Sequence, residues 1–214
     1  MNNDHERSRR EMFLDSGMSL VEVIVAIAII SVIALSTASL TINGMSLASA
    51  QQSRQVAVTV ASGAMEAATA QPIGTIYKGR TQAAVQAAYN ANTAVPGIAT
   101  VSGVTPTYQV WDTSGSVTSE ALPITSGPIT QNGTSYTTTT LVGSCYQPRT
   151  GGDCARLSSN PTTPPTSTPT GYMQLIRVVV VVRWAGKTCS SSGCLYSATT
   201  LLDPGKDLEW VTHE

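Results

Sequence analysis

A carboxylate lies at the start of an otherwise uncharged apolar segment in this chain. The residue is Glu22, and no acidic or basic side chain follows it before Arg54. A carboxylate at the middle of a bilayer costs on the order of 2–3 kcal/mol on insertion scales, and less near the end of a helix. Glu22 is therefore the first candidate functional residue. The chemistry that suits it is pairing with a cation in an apolar environment.

Two elements surround Glu22, a charged leader and a long apolar segment. Residues 1–17 are rich in Asp, Glu and Arg, whereas residues 23–42 contain no charge, Gly or Pro. A helix over residues 23–42 would span roughly 30 Å, the thickness of a bilayer's hydrocarbon core. A secretory signal peptide cut after Ala48-Ser49-Ala50 is one alternative, but that site lies well beyond the apolar run. A plain single-pass anchor is another alternative, and it leaves Glu22 unexplained.

The stretch GMSLVE at residues 17–22 resembles the prepilin signal of type IV pilins. That signal has a charged leader ending in Gly and an apolar segment with Glu at its fifth mature position. The resemblance implies that prepilin peptidase cuts after Gly17 and methylates the new terminal amine of Met18. It also implies that Glu22 of an incoming subunit meets the terminal amine of its neighbour and sets the axial register. Met18 replaces the usual phenylalanine, and Ser39 replaces the helix-kinking proline of many major pilins.

The whole chain predicts an α+β, pilin-like fold, in which one long helix packs on a C-terminal antiparallel sheet. The predicted parts are a leader at 1–17, a transmembrane and assembly helix at 18–43, its periplasmic continuation at 44–71, and a β-rich head at 72–214. Gly44 is a weak point of flexure, and a proline ends the helix at residue 72. Apolar and mostly small side chains at helical spacing are predicted to face the sheet; they are Leu47, Ala50, Ala57, Ala61, Ala64 and Ala68.

The clearest strand in the head runs from Tyr172 to Trp184, where side chains alternate between two faces. The face that ends in Trp184 should pack on the long helix, whereas Arg177 and Arg183 on the other face should reach solvent or the next subunit. A second helix is predicted near 81–90. Further strands are predicted near 98–102, 106–111, 134–143, 195–202 and 208–212. The Pro- and Thr-rich residues 158–170 predict an exposed extended loop, an inert spacer or a glycosylation site.

Four cysteines follow the apolar segment: Cys145, Cys154, Cys189 and Cys194. Their even number and their position beyond the anchor predict disulfide bonds outside the cytoplasm. Four cysteines allow three connectivities. The spacing favours the pairs Cys145–Cys154 and Cys189–Cys194, but it does not determine the connectivity. Zinc binding is disfavoured because neither spacing is C-x2-C and no histidine lies nearby.

Catalysis and nucleic-acid binding find little support in the composition. The two histidines are His5, in the leader, and His213, next to the last residue, so no internal histidine can act as a general base. The net charge of −1 lacks the positive excess that binds phosphates. No cofactor or metal is predicted. Asp203 and Asp207 are candidates for the calcium site of some pseudopilins, but an exposed turn is the preferred interpretation.

These observations predict a minor pilin or pseudopilin, a structural subunit of a type IV pilus or of a type II secretion pseudopilus. The late Val-rich strand and the cysteine pair that follows it resemble the PilV-like branch of the family. The expected partners are prepilin peptidase, other pilin subunits, an inner-membrane assembly platform and membrane lipid. The chain is expected to cross the cytoplasmic membrane once, with its head outside, and then to enter a filament at the cell surface. The alternatives are a filament-tip adhesin or DNA-uptake pilin, and a membrane-anchored extracytoplasmic enzyme.

Overall fold

The computed structural model describes residues 19–93, 101–115, 119–186, 189–190 and 192–205. Within these residues the chain divides into two compact units, with the boundary between Ser49 and Ala50. The α+β class predicted from the sequence is confirmed. The described elements are α1 (Leu20–Thr69), α2 (Gln82–Thr93), β1 (Tyr108–Gln109), β2 (Thr125–Gln131), β3 (Thr134–Pro148), β4 (Tyr172–Trp184) and β5 (Cys194–Leu202).

The described part of the first unit, residues 19–49, is the N-terminal portion of α1. Its side chains are exposed throughout, and its large apolar residues range from 40% exposed at Val23 to 75% at Leu20. The helix continues through Gly44, the predicted point of flexure. By length and composition α1 can cross a membrane.

In the second unit, the C-terminal part of α1 packs on one face of the sheet. Ala57, Ala61 and Ala68 are buried, and Ala64 is partly buried, in a core with the valines of β4. Their spacing places them on one side of the helix, where small side chains let the sheet approach closely. The predicted stripe is confirmed at these alanines, whereas Leu47, which belongs to the first unit, is 63% exposed.

The described sheet has five antiparallel strands. Its order is β1-β3-β4-β5, and β2 pairs with β3 in addition. Strand β4 has the predicted bounds, and β5 is its predicted hairpin partner, with Trp184 opposite Cys194. Strand β3 extends five residues past the predicted end at 143, to Pro148, because residues 136–148 all pair with β4.

The second face of the sheet is also largely covered, so the prediction that Arg177 reaches solvent is wrong, whereas Arg183 stays partly exposed. Val179 and Val181 of β4 pack with Leu141 beneath Val85 and Tyr89 of α2. A strand that is covered on both faces reads as a continuous apolar run rather than as an alternation. The run of valines at 178–182 carries that signal.

The two arginines of β4 hold the covering segments in place. Arg177 is 7% exposed, and its guanidinium donates hydrogen bonds to the carbonyls of Gly103 and Cys154 and to Thr107 Oγ1. Arg183 donates to the carbonyl of Ala91 and to Asn92 Oδ1, at 3.2 and 2.8 Å, near the end of α2. Buried carbonyl groups need donors, and Arg177 supplies one to the carbonyl of Cys154.

The Pro- and Thr-rich loop is largely exposed, as predicted, but it is attached to the sheet. The amide of Gln109 donates to the carbonyl of Pro161 at 2.8 Å. The phenolic oxygen of Tyr108 accepts hydrogen bonds from the amides of Leu157 and Ser158. This part of the chain therefore has a fixed path over the head.

Two predicted strands are not tested in full. Residues 98–100 and 208–212 lie outside the described residues, and residues 101–102 are not in a strand. The predicted strand at 106–111 is reduced to Tyr108–Gln109, and the predicted helix at 81–90 is confirmed as α2.

Candidate assembly site

Glu22 lies in the first turn of α1. The amides of Glu22 and Val23 donate to the carbonyl of Ser19, at 2.9 and 3.2 Å, so the helix starts immediately after this serine. A carboxylate in the first turn interacts favourably with the positive end of the helix dipole. The predicted cleavage and methylation residues, Gly17 and Met18, lie outside the described residues.

The spacing of Ser19 and Glu22 gives this carboxylate a second possible role. Ser-x-x-Glu is the order of a capping box, in which the serine and the glutamate satisfy amide groups at the start of a helix. Residues 19–22 carried this signal, and the sequence-based interpretation of Glu22 missed it. Glutamine serves in a capping box as well as glutamate does, whereas pairing with a cation requires the carboxylate. The two roles can therefore be separated by experiment.

The apolar surface of α1 needs a cover other than water. Each fully exposed Val, Leu or Ile forgoes on the order of 1.5–3 kcal/mol that burial would give. Large side chains along α1 are exposed from Leu20 to Leu47. Lipid, or apolar helices of other protein molecules, would supply that cover.

Several hydroxyl groups in this part of α1 are satisfied within the helix itself. Ser31 Oγ donates to the carbonyl of Ile27 at 2.7 Å, and Ser36 Oγ donates to that of Val32 at 2.9 Å. Thr41 makes the same type of bond to the preceding turn. An unpaired hydroxyl in hydrocarbon is costly, and bonding to the i−4 carbonyl removes that cost. This arrangement suits an apolar surrounding.

The four cysteines form two disulfide bonds in the head. Cys145 and Cys154 are buried and lie 5.4 Å apart between Cα atoms, and Cys189 and Cys194 lie 4.9 Å apart. These are the two pairs that the spacing favours. The first bond joins β3 to the segment that precedes the Pro- and Thr-rich loop, and the second joins the segment after β4 to the start of β5.

Of the two candidate calcium residues, only Asp203 lies in the part of the chain that the structure describes. Asp203 accepts a hydrogen bond from the amide of Gly205 at 2.8 Å, which is a turn contact. Asp207 lies outside the described residues. Among the described residues, no group of three or more His, Cys, Asp or Glu side chains has a metal-binding arrangement.

Two buried polar residues of the head were not singled out by the sequence. Arg80 is 1% exposed, and its Nε donates to the carbonyl of Leu122 at 3.0 Å. Burial lowers the pKa of Arg80 to about 10, against the opposing effect of nearby Glu120. Tyr89 is 2% exposed, and burial raises the pKa of its phenol. Nothing in their spacing distinguishes them from surface residues, because distant segments cover them.

Clefts open on the described part of the head. One of about 460 Å³ is lined by Tyr77, Trp111 and Gln174 among others, and its described lining has no carboxylate, histidine, lysine or arginine. Another of about 480 Å³ lies along α2 and includes Glu120 and Arg183. Arg183 cannot act as a base, because an arginine stays protonated in proteins. The carboxylate of Glu120 already accepts a hydrogen bond from the amide of Ile124 at 2.7 Å. Neither described lining thus holds a pair of groups suited to general acid–base catalysis.

Comparison with known proteins bears on the N-terminal segment. Residues 12–38 match the family model described as the prokaryotic N-terminal methylation motif. The match includes the predicted cleavage point, Glu22 and the first part of α1, and it leaves the head outside. No curated protein and no solved structure matches the chain. The N-terminus of this chain therefore carries a methylation signal of the type IV pilin kind.

Proposed function

We propose that this chain is a low-copy subunit of an extracytoplasmic filament, a minor pilin or pseudopilin. It is made as a precursor, cut after Gly17 and methylated on Met18, and it joins a type IV pilus or a type II secretion pseudopilus through α1. The observation that carries the proposal is the match of residues 12–38 to the methylation motif. The exposed apolar surface of α1 after Glu22 supports it.

Electrostatics gives Glu22 its proposed role in assembly. Cleavage after Gly17 creates an amine on Met18 that is protonated near neutrality, with a pKa of about 8. This cation and the Glu22 carboxylate each need a partner of opposite charge when lipid or apolar helices surround them. Pairing of Glu22 with the terminal amine of a neighbouring subunit satisfies both charges. It also fixes how far one subunit is displaced along the filament from the next.

The proposed location follows from the anchor and the cysteines. The anchor crosses the cytoplasmic membrane once, and the head lies outside, where disulfide bonds persist. The proposed partners are prepilin peptidase, the inner-membrane assembly platform, other pilin or pseudopilin subunits, and membrane lipid.

Mass spectrometry of the mature N-terminus tests the processing step. The expected first residue is Met18, carrying one methyl group, in protein from cells that contain prepilin peptidase. A Gly17→Val chain is the matched control, and it should keep its leader because a branched side chain replaces the residue before the cut. An intact Met1 in the parent would contradict the proposal. A chain that starts at Gln51 would identify an ordinary signal peptidase cut instead.

A second candidate function is favoured by the cleft that contains Tyr77 and Trp111. An open cleft with aromatic residues suits a subunit that binds a ligand from an exposed position on the filament. This candidate is compatible with assembly, because the cleft belongs to the head and the assembly residues belong to the first unit.

A further inference from the structure

The cleft beside the C-terminal end of α1 combines aromatic and neutral polar side chains. Tyr77 follows α1, Trp111 follows β1, and Gln174 lies on β4. Its volume of about 460 Å³ is within the range of small-molecule sites. The sheet forms one wall, and loops that follow three different elements form the rest.

Two polar side chains of the lining, one enclosed and one partly exposed, bear on the choice of ligand. Ser144, on β3, lines the cleft and is 1% exposed, and its Oγ has no hydrogen-bond partner among the described residues. Gln174 is partly exposed, and its side-chain amide makes no hydrogen bond within the same set of residues. A buried hydroxyl that lacks a partner costs free energy, and a ligand hydroxyl would offset that cost.

The charges around the cleft restrict the class of ligand. The nearby carboxylate of Asp112 already accepts the amide of Gly79 at 2.8 Å and the hydroxyl of Ser114 at 2.6 Å. Asp112 does not belong to the described lining, and neither does any other charged group, so an ionic ligand would lose its hydration without gaining an ion pair. A purely apolar ligand would instead leave the amide of Gln174 and the hydroxyl of Thr113 without partners.

We propose that this cleft binds a neutral saccharide unit. A pyranose ring has an apolar C–H face, which suits the rings of Tyr77 and Trp111, and rim hydroxyls that can both donate and accept hydrogen bonds. Gln174, Ser144 and Thr113 offer the complementary amide and hydroxyl groups. The proposal rests on the second candidate function for its biological use, since a glycan-binding head matters where a filament displays it.

Binding is tested on the full chain in phosphatidylcholine nanodiscs. Alkyl-glycoside detergents are avoided because their sugar headgroups would compete for the cleft. The ligands are neutral oligosaccharides of glucose, galactose, mannose and N-acetylglucosamine, with sialylated and sulfated oligosaccharides for comparison. Saturation-transfer NMR detects binding, and titration calorimetry gives the Kd. At least one neutral oligosaccharide should bind, and the charged ones should bind more weakly.

Two variants locate the site, and one serves as a control. Gln174→Ala and Ser144→Ala should each raise the Kd about 2- to 10-fold, the loss expected for one hydrogen bond. Gln131→Ala, on the exposed strand β2, should leave the Kd unchanged. Ser144→Ala removes a hydroxyl without a described partner, so the thermal midpoint of the free protein should not fall. This combination separates binding from folding.

Three outcomes would overturn the proposal: no binding of any neutral oligosaccharide at millimolar concentration, equal Kd values in the parent and in both cleft variants, or tighter binding of the charged oligosaccharides. None of these measurements requires a filament. Failure here therefore leaves the assembly proposal intact, and failure of assembly leaves the binding result intact.

Discussion

One methyl group added at Gly143 should damage the packing of the head severely. The Cβ of an alanine there would lie well under 3.0 Å from the carbonyl oxygen of Tyr108 and 2.5 Å from Tyr89 Oη. The first contact is with backbone, in the strand β1 that pairs with β3 at this point, so no side-chain rotation relieves it. Overpacking a core costs about 1–3 kcal/mol. Because β1 itself must move, we expect the upper end, about 3 kcal/mol.

Thermal unfolding of the full chain in nanodiscs, followed by circular dichroism with the disulfides intact, measures this effect. At about 2–4 °C per kcal/mol for a protein of this size, Gly143→Ala should lower Tm by roughly 6–12 °C. The matched control is Gly63→Ala, on the exposed side of α1, where a Cβ meets nothing within 4 Å. That variant should gain about 0.5–1 kcal/mol, because alanine favours helix over glycine. Equal shifts in the two variants, or an unchanged Tm in Gly143→Ala, would refute the described packing of β1 on β3.

Other predictions concern the arginine of β4, a loop carboxylate and the buried disulfide. Arg177→Ala leaves two carbonyls and one hydroxyl without their donor and should cost about 3–5 kcal/mol in chemical denaturation; Arg177→Lys should recover part of that loss, and equal stability of all three proteins would contradict it. Hydrogen bonds from the Gly79 amide, the Ser114 hydroxyl and the Ser114 amide lower the pKa of Asp112. The contribution of Asp112 to folding stability is therefore present above its unfolded pKa of about 4, and it is lost as pH falls through the lower folded pKa. In Asp112→Asn, the free energy of unfolding should therefore fall less steeply as the pH drops below about 4, and an unchanged pH dependence would contradict this. Replacing both Cys145 and Cys154 by Ala should cost about 2–3 kcal/mol by the loop-closure estimate, and an unchanged denaturation midpoint would argue against the bond.

The sequence predicted some elements closely because their signals are local. Strand β4 has a long β-branched apolar run that ends near Trp184, and α1 has small residues at helical spacing followed by Pro72. Strand β2 was missed because Gly127 and Pro128 interrupt it. The pairing of β2 with β3 shifts register between Ser126 and Ile129, where proline has no amide to donate.

The residues of the head that matter most could not be found from local patterns. Arg177 was predicted to reach solvent because arginine is rarely buried, yet its donors satisfy carbonyl groups about 20 to 75 residues away in the chain. The cleft draws Tyr77, Trp111 and Gln174 from segments that no periodicity connects. By contrast, Gly17 and Glu22 are close in the sequence, so the candidate assembly residues can be identified from the sequence alone.

The charge of Glu22 is the feature on which the assembly account depends. The decisive measurement is the amount of Glu22→Gln protein in sheared filaments, relative to the amount of mature protein in the membrane. Glutamine keeps the length of the side chain and its capacity for a capping box, so only the charge is removed. Ser19→Ala is the matched control, because it weakens the cap and keeps the carboxylate.

The account predicts normal cleavage and membrane insertion of Glu22→Gln, with its share in filaments reduced about tenfold or more, since an unpaired buried amine costs several kcal/mol. Ser19→Ala should enter filaments nearly as well as the parent chain. If Glu22→Gln assembles as well as the parent while Ser19→Ala does not, the carboxylate acts as a helix cap and the ion-pair mechanism is wrong.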